Sequence, residues 1–379
     1  MRKIKILFRL SFLYHRAALD PVYEVMKDDD RFDIYFSCED EKVRRFLFLR
    51  SRRREAEDLL RKEGRRIAST RKGFDAVITG DTLGNPEDYG RTLLVFINHG
   101  TGIKNVLYRN LAKSRGTKYM IFVEGEYRKR KILEKGVLGV SEVYVVGYTK
   151  LDPVFQGKYR REEVLRELGL DPARKTVLFA PTHKPSCIKY VKEHILEATK
   201  DYNLIIKLHP YSWSGSYAPH SHHKIYEKAV KKYDHAVLVP PEKDNILPFL
   251  VAADVLVSEA SSTIFEFLAL GKIGVIYDLP HQKLRHHDGT PILDEDPEKF
   301  LKGAYPHVKS PEQLREAIEY ALNPDSEMLE EMEKWRNYLF YGLDGRASQR
   351  AVELIVRLLE EGGHENVPSG ATTYKPSFI

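Results

Sequence analysis

The chain has 379 residues, of which 42% are hydrophobic and 31% charged, and its formal net charge is +6. That length suits two domains, each able to bury its own core. Two cysteines, Cys38 and Cys187, cannot build a disulfide framework, and no Cys-x-x-Cys motif occurs, so a reducing cytoplasmic setting is expected.

Residues 4–8 read as a first strand. Arg9 breaks that apolar run, His15 and Arg16 follow, and no cleavage site stands out, so the amino end is not expected to be a signal peptide. A helix is expected over residues 19–26, with Asp20 as its cap and Pro21 in its first turn. Residues 33–38 read as a strand, and residues 41–68 as a helical, strongly basic segment. Further strands are expected at 74–80, 93–98, 119–123 and 143–147. This alternation predicts a parallel-sheet α/β domain over residues 1–150.

The segment Gly147-Tyr-Thr-Lys-Leu-Asp-Pro-Val-Phe155 reads as an interdomain connection. The second domain, expected over 151–340, repeats the pattern: a helix at 161–168, strands at 177–180, 204–208, 236–239, 255–257 and 273–277, then helices at 311–322 and 328–338. A final helix, within 341–361, carries Ala351, Leu354, Ile355, Leu358 and Leu359 on one face. The polar tail, 362–379, is expected to be disordered. No uncharged run reaches about 20 apolar residues, so no transmembrane span is expected.

Two open α/β domains in tandem bring strand carboxyl ends to a shared cleft. The residues directly after each strand therefore carry the chemistry. His99-Gly-Thr-Gly-Ile-Lys104 follows one strand, Pro181-Thr182-His-Lys184 another, and His209-Pro210 a third. Around Val255-Leu-Val the pattern is strand, turn, helix, strand, which sets Ser261, Ser262 and Thr263 at a helix amino end. Such an end has free N–H groups and a positive dipole, which suits a phosphate; the competing reading is a plain helix cap. Histidines, lysines and hydroxyls gather at these ends while Glu259 and Asp278 are the main acids, so an anion site with proton transfer at histidine is expected. His222, His223, His286 and His287 lack metal-ligand spacing and read as surface residues; no metal or cofactor is inferred.

These stretches resemble the CDP-glycerol glycerophosphotransferase family of the teichoic-acid polymerase and primase type. His99-Gly-Thr-Gly-Ile-Lys104 is similar to the family's His-Gly-Thr-Pro-Leu-Lys, and Phe179-Ala-Pro-Thr182, Ile206-Lys-Leu-His-Pro210 and Ser258-Glu-Ala-Ser-Ser-Thr-Ile-Phe-Glu266 occur in the family's order. Asp344-Gly-Arg-Ala-Ser-Gln-Arg350 stands beside the family's Asp-Gly-Lys-Ala-Ser-Glu-Arg. The resemblance implies a GT-B fold, two Rossmann-like domains with the last helix crossing back, and transfer of a polyol phosphate from a CDP-activated donor with release of CMP. It implies that His99 is the general base, and that His209, Ser261, Ser262 and Arg285 meet the donor phosphates. Thr182, Lys184, Glu259 and Thr263 join the expected donor side, and Gly100, Thr101 and Lys104 the acceptor side. Three departures stand out: Gly102 replaces the family's proline, Ser258-Glu259-Ala260 replaces Thr-Asp-Tyr, and the family's Arg-Gly-Phe is not intact, so Arg285 is placed by spacing.

The nearest rival is a GT-B glycosyltransferase using a nucleotide sugar, with Glu259 or Glu266 holding sugar hydroxyls. A nucleic-acid binder is a second rival, raised by the basic residues between Lys42 and Arg66, but no recognised nucleic-acid module surrounds them. The segment from Lys42 to Lys72 also holds Phe46, Leu47, Phe48, Leu49, Leu59 and Leu60, a combination suited to an anionic bilayer. The expected partners are a CDP-polyol donor, a lipid-linked or polyol-phosphate acceptor and an anionic membrane surface, with the protein peripheral on the cytoplasmic face; nucleic acid is not expected.

Overall fold

The computed structural model describes residues 2–40, 42–45, 48–213, 221–259, 261–280, 284–285, 289–296 and 299–362. The strands are β1 (Ile4–Leu10), β2 (Phe32–Cys38), β3 (Lys42–Arg45), β4 (Phe48–Ser51), β5 (Ala76–Thr79), β6 (Leu93–Ile97), β7 (Met120–Val123) and β8 (Glu142–Val145), followed by β9 (Thr176–Phe179), β10 (Asn203–Ile206), β11 (Ala236–Leu238), β12 (Val255–Ser258), β13 (Gly274–Tyr277) and β14 (His307–Val308). Twelve of them form two six-stranded sheets, ordered β2-β1-β5-β6-β7-β8 and β11-β10-β9-β12-β13-β14. Every pairing within these two sheets is parallel. Helices cover both faces, which is why β5, β6, β9 and β12 are apolar but for a hydroxyl residue at one end of β5, β9 and β12, and are buried throughout. The architecture is α/β and GT-B-like, two Rossmann-type sheets about a central cleft.

After the second sheet the chain returns to the first. The final helix, Ala347–Glu360, buries Ala351, Ile355 and Leu358 in the same cluster as Ile6, Phe8 and Leu19. Its first turn is held by the connection: Asp152 accepts from Ala347 N at 3.1 Å and Ser348 N at 2.6 Å. Arg350 pairs with Asp344 at 2.8 Å and donates to the Val146 carbonyl at 2.8 Å. The Asp344–Arg350 motif is thus an anchor for the crossover, away from the strand-end chemistry.

Three sequence expectations are corrected. Residues 41–68 are not one helix: β3 and β4 form an antiparallel hairpin, and the helix occupies Arg53–Lys62 only. Seven basic residues and no acidic one lie between Lys42 and Arg54, so a helix there would stack like charges at i,i+3 and i,i+4. From Arg53 onward acids supply partners, as in Arg53–Glu57 at 2.7 Å.

The first helix runs Arg16–Met26 and enters from a short 3-10 turn, so Asp20 lies inside it and is no cap. Asp20 instead accepts from Arg16 at 3.0 Å and Arg65 at 2.6 Å. Pro21, also interior, forgoes one helical hydrogen bond.

His222, expected at the surface, is buried, and His223 stacks on Trp213 at 4.7 Å because the turn after β10 folds over them. β14, at the edge of the second sheet, has no counterpart among the sequence expectations. His286, His287, Ala260, Phe46, Leu47 and the tail from 363 to 379 lie outside the described residues.

Candidate active site

Each sheet reverses its strand order once, between β1 and β5 in the first and between β9 and β12 in the second. The carboxyl ends flanking such a reversal open a crevice where ligands bind. Here both crevices contribute to one cleft of about 890 Å³, lined by His99, Lys150, Lys207, His209, Ser261 and Ser262 among others.

On the first wall, His99 follows β6. Its Nδ1 lies 2.5 Å from the Gly80 carbonyl, which follows β5. A carbonyl accepts only, so Nδ1 carries the proton and Nε2 keeps its lone pair. Burial holds the His99 pKa below the ordinary 6.5, leaving the ring neutral at pH 7. The ring of His15 packs against it, tilted by 33° with ring centres 4.2 Å apart.

The loop after His99 is fixed from beneath. Asn98 donates to the Gly100 carbonyl and to Glu124, Thr101 Oγ1 donates to Glu124, and Arg128 bridges Glu124 and the Gly102 carbonyl. Gly102 has φ +106°, and a Cβ there would lie 2.5 Å from the Phe265 ring. Proline, fixed near −65°, could not adopt this conformation, so glycine suits the backbone at this position.

On the second wall, Ser261 is the cap of the helix Ser262–Ala269, and its Oγ accepts from Thr263 N. The helix amino end opens into the cleft with Ser261, Ser262 and Thr263. The cap and the phosphate readings therefore coexist: Ser261 Oγ satisfies one N–H, and its own hydroxyl hydrogen is left for a ligand.

His209 follows β10, and its Nδ1 accepts from Tyr211 N at 3.1 Å. The proton of the neutral ring then sits on Nε2, the reverse of His99. Burial first, then the charges of His183, Lys104, Lys207 and Lys150, push the His209 pKa well below the ordinary value. One histidine is thus set up to accept a proton and the other to donate a hydrogen bond.

The sequence candidates divide by placement. His99, Gly100, Thr101, Lys104, Thr182, His209, Ser261, Ser262 and Thr263 line the cleft. Lys184 is exposed and Arg285 donates to the Gly289 carbonyl at 2.6 Å, and neither lines it. Glu259 is 1% exposed and turned inward, accepting from Thr182 N at 2.6 Å and the Cys187 thiol at 2.9 Å. Burial raises its pKa to about 7. Glu266 is also fully buried, 2.7 Å from Lys150 Nζ. Neither carboxylate named for the nucleotide-sugar reading lines the cleft.

Sequence reading missed Lys150, Lys207 and the Glu124–Arg128 pair. Lys207 stands inside the quoted Ile206–Pro210 motif, and burial lowers its pKa to about 8. Among the described residues no group of three or more His, Cys, Asp or Glu gathers at metal-binding distance.

Residues 23–357 match the family model described as CDP-glycerol:poly(glycerophosphate) glycerophosphotransferase. The chain belongs to this family. A relative from Bacillus spizizenii (strain ATCC 23059 / NRRL B-14472 / W23), the teichoic acid poly(ribitol-phosphate) polymerase, is 24% identical over 255 residues, 64% of this chain and 38% of its own length. This member of the glycerophosphotransferase family thus spans well under half of that curated relative. Among solved structures, a variant of the wall teichoic acid polymerase TagF superposes with a TM-score of 0.67 at 15% identity, covering 96% of this chain and 90% of TagF. The UDP-GlcNAc 2-epimerase of Neisseria meningitidis, bound to UDP-GlcNAc, gives 0.59 at 14% identity over 93% of this chain and 100% of its own. At these identities the structural likeness is one of fold.

Proposed function

We propose that this protein transfers glycerol phosphate, or a related polyol phosphate, from a CDP-activated donor to an acceptor hydroxyl, releasing CMP, in the synthesis of a teichoic-acid-like or other cell-surface polymer. The observation that carries the reading is the opposed pair of histidines: His99 with a free Nε2 lone pair on one wall, and His209 with an Nε2 proton beside the Ser261 helix end on the other. Family membership and a TagF structure soaked with CDPG support the donor class.

The step follows from those groups. The acceptor hydroxyl loses its proton to His99 Nε2 as its oxygen bonds the β-phosphorus of the donor. The bond from that phosphorus to the bridging oxygen breaks, and the electron pair leaves with CMP. Charge on the phosphates is met by the amino end of Ser262–Ala269, the hydroxyls of Ser261 and Ser262, and His209 Nε2–H. Phosphoryl transfer asks mainly for positioning and charge neutralisation, which this cleft offers.

The acceptor would be polyol-phosphate or lipid-linked, entering past Gly100, Thr101 and Lys104. The protein would sit on an anionic membrane at the cytoplasmic face; among the described residues no helix is long and apolar enough to cross a membrane. Incubation with CDP-glycerol, CDP-ribitol and UDP-sugars, with product nucleotides separated chromatographically, tests the reaction class. CMP released in an acceptor-dependent manner is expected; UDP release from a nucleotide sugar, with no CMP, overturns the reading.

A further inference from the structure

Lys150 belongs to the segment connecting the two sheets, yet its side chain lines the cleft with His99, His209 and Ser261. It is 12% exposed, and its Nζ lies 2.7 Å from Glu266 Oε1. Glu266 is fully buried one turn inside the helix whose amino end faces the cleft. Tyr148 OH lies 3.1 Å from the same carboxylate oxygen and 3.0 Å from the His99 carbonyl, so its single proton is shared between the two acceptors. One carboxylate thus ties together the base loop, the connection and the helix of the second wall.

Stability alone is a poor account of this pair. Desolvating two charges offsets much of their attraction, and Glu266 Oε2 is buried with no partner among the described residues. An ammonium has three donors, and Glu266 is the protein acceptor it meets among the described residues, so donors remain for a ligand. Burial is the main cause that holds down the His99 and His209 pKa values; the Lys150 ammonium adds to it in a minor way at both, while Glu266 opposes it at His99.

We propose that Lys150 is a further catalytic residue: its ammonium, aimed by Glu266, contacts the phosphate being transferred between His99 and His209. This rests on the phosphotransfer reading above. As the acceptor oxygen bonds phosphorus and the bond to the CMP phosphate breaks, Lys150 stays protonated and neutralises the charge spread over the phosphate oxygens. Glu266 is the positioning residue, and Tyr148 couples the same carboxylate to the backbone of the base.

The test separates a cation on the substrate from a structural strut. Lys150→Met leaves Glu266 buried without its counter-charge and is expected to melt earlier. The double variant Lys150→Met with Glu266→Gln removes both charges and is expected to recover most of the melting temperature, since a neutral pair needs no compensation. Acceptor-dependent CMP release from CDP-glycerol or CDP-ribitol is then measured for wild type, the double variant and Glu266→Gln. Turnover is expected to fall by about 10²-fold or more in the double variant, the range for removing one preorganised donor, and by less than about 10-fold in Glu266→Gln, which keeps the ammonium. A folded double variant with wild-type turnover overturns the proposal while leaving the phosphotransfer reading in place. Wild-type protein that releases no CMP from either donor overturns that reading, and this proposal with it.

Discussion

The Gly80 carbonyl stands 2.5 Å from Nδ1 of His99, and this single contact decides which nitrogen of the histidine faces the chemistry. With Nδ1 protonated and burial disfavouring the imidazolium, Nε2 is a base at neutral pH. His99→Ala is expected to lower turnover by roughly 10²-fold or more while CDP-glycerol affinity changes little. The rate should hold down to a pH below the ordinary histidine value near 6.5 before His99 protonates and activity falls. Initial rates from pH 5 to 8, with calorimetric binding of the donor, check both; a variant as fast as wild type removes His99 from the reaction.

The cap at Ser261 and its proposed phosphate contact separate by measurement. As a cap Ser261 accepts from Thr263 N, so Ser261→Ala should cost about 1 kcal/mol of stability. Ser262 is the first residue of the helix and caps nothing, so Ser262→Ala should leave the melting temperature nearly unchanged. Both variants, and His209→Ala, are expected to weaken donor binding, because each removes a hydrogen-bond donor that the proposed reaction sets against phosphate. Denaturant titration and calorimetry run on the same samples give the two readouts; undiminished affinity in all three would leave the turn as a cap alone.

Much of this was legible in the chain because its strands are buried on both faces. Stretches such as Leu93–Ile97 and Asn203–Ile206 leave no polar alternation to misread, and the residues after them fall at one sheet edge by topology. What was not legible depends on distant partners. Lys150 and Glu266 are 116 positions apart, and nothing local marks either as half of a pair. Asp20 looked like a cap because Pro21 follows it, whereas its partner Arg65 lies 45 positions on. Glu259 sits at a strand end where a ligand would be sought, but its carboxylate turns inward to Thr182 N and Cys187.

Gly102 tests how tightly the base loop is built. Its φ of +106° is one that side chains rarely adopt, and the Phe265 ring occupies the space a Cβ would need. Gly102→Ala is expected to destabilise the fold by on the order of 1–3 kcal/mol, and Gly102→Pro, although it restores the family's residue, by more. Chemical denaturation measures it. Equal stability for either variant would show that the loop has room and backbone freedom that this geometry denies.

His15 gives a pH dependence of stability with a definite sign. It is fully buried, neither ring nitrogen has a partner among the described residues, and burial, then His99, then Arg9 push its pKa well below 6.5. The unfolded chain binds a proton near pH 6.5 and the folded chain only at lower pH. Stability must therefore fall as pH drops below about 6.5, because the unfolded state then holds more protons. His99 and His209 act in the same direction. The loss of melting temperature between pH 7 and pH 5 should shrink, without vanishing, in His15→Leu. An acid loss of wild-type size in that variant would assign the effect to the other histidines.

The basic segment of the first domain bears on the proposed attachment to a membrane, and its charges are unevenly available. Within the helix Arg53–Lys62 four basic residues face three acidic ones, and Arg53 and Arg61 both pair with Glu57. Arg65 and Arg66 are likewise held by Asp20 and Asp33. The larger excess in the sequence lies ahead of and at the start of the helix, where seven basic residues between Lys42 and Arg54 have no acid among them, although Arg52 and Arg53 reach forward to Glu55 at 3.6 Å and Glu57 at 2.7 Å. At about 1 kcal/mol per basic side chain near an anionic surface, that stretch is the expected contact. Changing Arg52, Arg53 and Arg54 to Glu should abolish co-sedimentation with anionic liposomes, whereas changing Arg61 and Lys62 should weaken it less. Binding of the wild type should fall steeply as salt shortens the Debye length below about 8 Å. Equal recovery on neutral and anionic vesicles, or indifference to the triple change, would rule out electrostatic attachment through this face.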